Sequence, residues 1–137
     1  MAAISTKGVY GLAAMFELAK NRGEGPLQIR AIAQRADIPQ NYLEQLLVQL
    51  RRSGLVESIR GAKGGYKLAK SPHEISVKEI LEILEGEVAL ISSEVANAAL
   101  RLFWEEKTLF LHEQLDLSLE ELIQYEAKAN GGGMYFI

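Results

Sequence analysis

Four leucines, Leu43, Leu46, Leu47 and Leu50, recur at i, i+3, i+4 and i+7 and constrain this chain more than any other feature. That spacing puts all four on one side of an α-helix, so the segment is a helix with one side buried by other elements. Its ends are marked as well. Pro39 suits a first helical turn, where a missing N–H is not needed, and Gly54 stands where a left-handed residue closes the last turn. A second apolar stripe, Ile29, Ile32, Ala33 and Ala36, precedes it over residues 27–36, and Asp37-Ile38-Pro39 joins the two. Two helices joined by a tight turn make a helix-turn-helix candidate, although any α-hairpin in a bundle has the same pattern. A first helix is read over residues 5–22, opened by Ser5-Thr6, striped by Val9, Leu12, Ala13, Phe16 and Ala19, and closed by the loop over residues 21–26.

The next segment separates the two possibilities. Residues 55–60 read as a short strand, Gly61-Ala62-Lys63-Gly64-Gly65 as a turn, and residues 66–69 as the returning strand. A hairpin directly after the second helix, tipped with Arg60, Lys63 and Lys67, is the arrangement of a winged helix. The glycines do not form a phosphate cradle, because the Gly-x-x-x-x-Gly-Lys-Ser/Thr spacing is missing and a strand follows instead of a helix N-terminus.

Beyond Ser71-Pro72 the chain turns acidic. Residues 1–70 hold 11 Lys and Arg against 5 Asp and Glu, a balance of +6, whereas residues 71–137 hold 4 against 13, a balance of −9. For nucleic acid what matters is positive charge collected on one surface, so the overall charge of −3 is no objection. Ser76-Val77-Lys78-Glu79 is a capping box for a short helix ending at Gly86. The longest helix is expected over residues 93–114. Val95, Ala99, Leu102, Leu109 and the parallel set Ala96, Phe103, Phe110 make one wide stripe, and Leu100, Trp104 and Leu111 another. A narrow polar ridge through Glu94, Asn97, Arg101, Glu105 and His112 is all that remains. Such a helix needs partners on more than one side, and in a chain this short the second partner is the same helix of another subunit. Val95, Ala99, Leu102, Phe103, Leu109 and Phe110 are the expected dimer contacts. Ser118-Leu119-Glu120-Glu121 caps a last helix to about residue 129, after which Gly131-Gly132-Gly133 releases Met134-Tyr135-Phe136-Ile137.

Composition removes several chemistries. With no cysteine the chain has no disulfide framework, thiolate zinc site, cysteine nucleophile or cysteine-ligated cluster. His73 sits in a turn and His112 on an acidic helix, where a lone histidine is solvated. The pairs Glu105-Glu106 and Glu120-Glu121 splay about 100° apart on a helix and do not converge on a substrate. No hydrolase, metalloprotease or dinucleotide motif is present. An enzyme is not expected, nor a metal or cofactor. No stretch approaches the roughly 20 apolar residues of a membrane span and no export signal is read, so a cytoplasmic protein without a membrane partner is expected.

Opposite its leucines the second helix of the motif presents Gln40, Asn41, Glu44, Gln45, Val48 and Arg52. Glutamate accepts from cytosine N4, and Gln and Asn pair bidentately with adenine. Without the wing, Glu44 would read as an exposed salt-bridge partner. Arg51, Arg52 and Lys63, with Ser5, Thr6 and Lys7, suit phosphates, which position a protein without reading sequence.

Ile4-Ser5-Thr6-Lys7-Gly8-Val9-Tyr10-Gly11-Leu12, Asn41-Tyr42-Leu43-Glu44-Gln45-Leu46, Gly54-Leu55-Val56 and Ser58-Ile59-Arg60-Gly61-Ala62-Lys63-Gly64-Gly65-Tyr66 together resemble the winged-helix regulators of the IscR, NsrR and CymR type, a likeness that runs through Leu84-Glu85-Gly86. The resemblance implies a dimer built through the long helix, with Glu44, Gln45 and Arg60 at positions that contact bases or the minor groove. It also implies three cluster-ligating cysteines after Leu-Glu-Gly in the iron–sulfur members, and this chain has none. Likeness to the cysteine-metabolism branch implies a cluster-free repressor that associates with cysteine synthase.

The expected architecture is therefore mainly α with a small β-hairpin wing. A winged helix-turn-helix DNA-binding region occupies residues 1–86, and residues 87–137 carry the dimerisation helix, a C-terminal helix and the tail. Asn41, Glu44, Gln45 and Arg60 are the expected base or groove contacts on a duplex with dyad-related half-sites. Met134, Tyr135, Phe136 and Ile137 suit a docking peptide, whose apolar groups supply area and whose carboxylate is captured by backbone N–H groups. The alternative for the tail is to fold back on its own dimer. The alternative function is a cluster-free regulator whose small ligand binds between the wing domain and the long helix.

Overall fold

The computed structural model describes residues 3–131. The proposed docking tail, Met134 to Ile137, lies outside them. In chain order come α1 (Thr6–Lys20), α2 (Ile29–Ala36), α3 (Gln40–Arg52), β1 (Val56–Ile59), β2 (Gly65–Leu68), a single 3-10 turn (Pro72–Glu74), α4 (Val77–Glu85), α5 (Ala98–Leu115) and α6 (Leu119–Gly131). This is the mainly α winged-helix architecture expected from the sequence.

The four leucines of α3 are all buried, against Ala14, Met15 and Leu18 of α1 and Ile32 of α2. Tyr10 and Tyr42 meet edge to face beside that contact, ring centres 5.5 Å apart. The turn between α2 and α3 is tight because Asp37 takes a left-handed conformation (φ 55°) while Ile38 turns into the core. Aspartate tolerates that conformation better than most residues. Gly54 (φ 81°) closes α3 as expected and directs Leu55 and Val56 back inward. Replacing Leu47, wholly inaccessible at the centre of this contact, by alanine is expected to cost about 2–5 kcal/mol in denaturant unfolding.

β1 and β2 pair antiparallel with Val56 opposite Leu68 and Ile59 opposite Gly65. Leu27 adds a third rung, its N–H and C=O bonding Tyr66 at 2.8 Å each, which ties the hairpin to the chain entering α2. α4 closes the core with Ile80 and Leu84, and it lies so near α1 that a Cβ on Gly11 would stand 2.0 Å from Leu84 Cδ1.

The last helix returns to the body. Leu119 is wholly buried in the same core, and the chain before it bonds the chain before α4, Val77 N–H to Leu117 C=O and Leu119 N–H to Ile75 C=O, both 2.8 Å. Lys20 of α1 donates to Glu126 of α6 at 2.8 Å and lies 3.2 Å from Glu17. The bond to Glu126 is the main cause holding the ammonium pKa above its ordinary value.

Two expectations are corrected. The long helix begins at Ala98, not at residue 93, so Val95 and Ala96 precede it. Asn97 is the cap, its Oδ1 accepting from Leu100 N–H at 3.1 Å, and a short polar side chain satisfying that orphan donor makes a natural start. His112 is half-buried and its Nε2 meets the Val88 carbonyl, so it is not a solvated surface histidine.

Candidate nucleic-acid interface

Because α3 buries its leucines, the opposite side faces solvent. Asn41, Glu44, Gln45, Val48, Arg51 and Arg52 are all exposed. Spacings of three or four residues stack these groups along one side of the helix over about 16 Å, the rise of eleven residues. Such a rod fits a major groove about 12 Å wide.

The wing stands beside the start of this helix. A shallow cleft of about 520 Å³ is lined by Gln28, Ile29 and Arg30 at the start of α2, Gln40 at the start of α3, and Gly61, Gly64, Gly65 and Tyr66 of the wing. Gln28 Nε2 reaches the Ala62 carbonyl across it at 3.5 Å. Arg60 and Lys63, exposed on the turn, are thus held near the same end of α3 as Gln40 and Asn41. At the other end, Arg51 Nη1 lies 3.4 Å from Ser58 Oγ of β1. Lys67 does not stand at the tip, because the strand register places it opposite Glu57 with 3.8 Å between Nζ and Oε2.

The α1 start is used differently from the wing. Ser5 caps the helix, its Oγ accepting from Lys7 N–H at 3.2 Å and donating to Glu85 Oε1 at 2.6 Å, and its backbone N–H also donates to Glu85. Thr6 is exposed and Lys7 half-buried. The Glu85 carboxylate at this position complements the positive N-terminal end of α1 and fastens it to the end of α4. Sequence reading missed this clasp, because nothing local links residues 80 positions apart.

α5 has no buried residue. Leu102 (57% exposed), Phe103 (46%), Leu109 (60%) and Phe110 (61%) stand open, as does Ala99. The side turned toward the chain carries Trp104, Thr108, Leu111, His112 and Leu115, all half-buried, with Leu111 and Leu115 against Val77, Leu81 and Val88. Of the expected dimer contacts, five therefore share an exposed helix and Val95 lies in the segment before it.

The family described as Rrf2, iron-dependent transcriptional regulator, matches residues 4–124. The HTH-type transcriptional regulator CymR of Bacillus subtilis (strain 168) is 43% identical, covering 98% of this chain and 99% of that protein. The HTH-type transcriptional regulator IscR of Cereibacter sphaeroides is 46% identical over 87 residues, covering 62% of this chain and 56% of that protein. Among solved structures, that of CymR, the global cysteine regulator of B. subtilis, superposes with a TM-score of 0.85, covering 91% of this chain and 98% of that one. IscR of T. potens superposes with a TM-score of 0.80 at 41% identity, covering 92% of this chain and 89% of that one.

The iron dependence in the family's description finds no matching donor set here. The chain has no cysteine, and among the described residues no three His, Asp or Glu side chains gather where they could hold a metal ion. Among the described residues no helix is long and apolar enough to cross a membrane. The fold, the exposed polar face of α3 with its adjoining wing, and the near full-length identity to a named regulator agree: the chain belongs to the Rrf2 family of winged-helix transcription regulators, which are not enzymes.

Proposed function

We propose that this chain is a homodimeric, cytoplasmic, cluster-free repressor of cysteine and sulfur metabolism genes, binding duplex DNA with two dyad-related half-sites. The observation that carries the reading is the cleft joining the wing turn to the start of α3, together with 43% identity to a relative described as a global cysteine regulator. In this reading residues 1–86 engage DNA and α5 joins two copies, while α6 packs back on the body. Asn41, Glu44, Gln45 and Arg60 meet base edges or the minor groove, and Thr6, Lys7, Arg51, Arg52 and Lys63 meet phosphates. Ser5, whose hydroxyl holds Glu85, contributes by fixing the α1 start beside that backbone.

The test is an unbiased selection of bound duplexes followed by specificity profiles of variants. Selected sites should show dyad symmetry, and affinity should fall with salt by roughly 0.9 in log–log slope per neutralised phosphate. Glu44→Ala should cost about 1–3 kcal/mol and relax preference at a defined position, whereas Arg51→Ala should weaken all sequences alike. Equal affinity for selected and scrambled DNA would refute DNA recognition, and the reverse pattern for the two variants would refute the placement of α3.

The proposed regulatory partner is cysteine synthase, engaged by the tail Met134-Tyr135-Phe136-Ile137. Deleting those four residues should abolish capture by the purified enzyme and leave the dimer and its melting temperature unchanged. A destabilised dimer with no change in enzyme binding would show instead that the tail covers its own dimer. The reading as a small-ligand sensor is favoured by a different feature, a cleft of about 620 Å³ lined by Arg101, Trp104 and His112, which lies between residues 87–95 and α5 and not at the expected junction of the wing domain with the long helix. A metabolite that alters DNA affinity without any protein partner would support it.

A further inference from the structure

Val48 sits where the polar face of α3 is interrupted. It is 36% exposed, one turn beyond Glu44 and one turn before Arg52, on the side opposite the four buried leucines. A single exposed valine elsewhere would need no explanation. Here it is flanked along the helix by the groups that face the groove, and it leaves about a third of an apolar, β-branched side chain open among them, at a small cost in helix propensity. Only thymine displays a methyl group in the major groove, and that methyl has no hydrogen-bonding partner to seek. We infer that Val48 reads thymine, its γ-methyls packing on the thymine C5-methyl in each half-site.

The inference rests on α3 being the recognition helix and names a base class for a residue with no polar chemistry. Four residues of α-helix rise about 6 Å, and base steps are about 3.4 Å apart, so the thymine stands about two base pairs from the pair read by Glu44. Packing two methyl groups removes roughly the area of one methylene from water, which corresponds to about a threefold to fivefold change in affinity.

The experiment replaces each thymine of the selected operator by deoxyuridine, which deletes the C5-methyl and keeps the base pair. One thymine per half-site is expected at which the wild-type chain loses about threefold to fivefold in affinity. Val48→Ala should weaken binding to the unmodified site by a similar factor and then be indifferent to deoxyuridine at that thymine. Alanine is the better helix former and Val48 is outside the buried core, so the variant should remain folded. A deoxyuridine profile identical in wild type and Val48→Ala, or a wild-type profile with no sensitive thymine, overturns the inference. Glu44→Ala run in parallel separates the two levels. If it shifts base preference while the Val48→Ala profile stays wild type, only the thymine contact fails, and if neither variant changes any preference, α3 is not the recognition helix.

Discussion

A chain carrying Phe103→Glu and Phe110→Glu is expected to run as a folded monomer and to lose operator affinity by about a hundredfold or more. The two rings lie two turns apart on α5, 46% and 61% exposed, on a helix that buries no residue within its own chain. Closing that face against a second copy would remove the open half of Leu102, Phe103, Leu109 and Phe110 from water, at about 1 kcal/mol or more for each side chain. Glutamates at both aromatic positions would bring desolvated like charges together instead. The half-site domain should survive, because its core is built from α1 to α4 and Leu119, to which α5 contributes no buried side chain. Linking two half-site domains raises affinity by 10² to 10⁴ over either alone, and that factor is what the monomer should lose. Sedimentation velocity and operator titration on the same sample check both halves. A variant that remains dimeric with wild-type affinity would place the interface elsewhere.

Gly65→Ala is expected to displace the wing although it adds only one methyl group. Gly65 holds φ at +145°, which side-chain-bearing residues rarely adopt, and an added Cβ would stand 2.5 Å from the Leu27 carbonyl oxygen. That carbonyl accepts the Tyr66 N–H in the rung that fastens the wing to α2, so relief of the clash breaks the rung. Strain of this kind costs about 1–3 kcal/mol. Gly64 is confined by contact alone, its Cβ position lying 2.1 Å from the Ile59 carbonyl oxygen. Once the hairpin shifts, Arg60 and Lys63 leave their place beside α3 together. Operator affinity should therefore fall by at least as much as in Arg60→Ala, about 1–3 kcal/mol, with a lowered melting temperature that the arginine variant lacks. Wild-type melting and affinity in Gly65→Ala would show that the wing tolerates the displacement.

Much of the fold was legible because its signals are local. The leucine spacing of α3, the turn at Asp37-Ile38-Pro39, Gly54 at the helix end and the glycine-bearing hairpin each act within about one or two helical turns, so a linear reading finds them. The candidate interface followed for the same reason, since a helix with one buried side has its opposite face determined by sequence. The apolar circumference of α5 was legible for the same reason. Its start was not, because the stripe continues back through Val95 and Ala96 while Asn97, as the cap, begins the helix after them.

What remained hidden was long-range. Sequence alone determined the winged helix-turn-helix and the side chains on the outer face of α3, because helical and strand periodicities dictate which side is buried whatever the partner. Only the tertiary structure decided that α6 returns to the first core, that His112 is bound to the Val88 carbonyl, and that Ser5 holds Glu85. Each of these contacts joins residues far apart along the chain. Which distant groups meet depends on how whole helices pack, a property of the assembled core that no local spacing encodes.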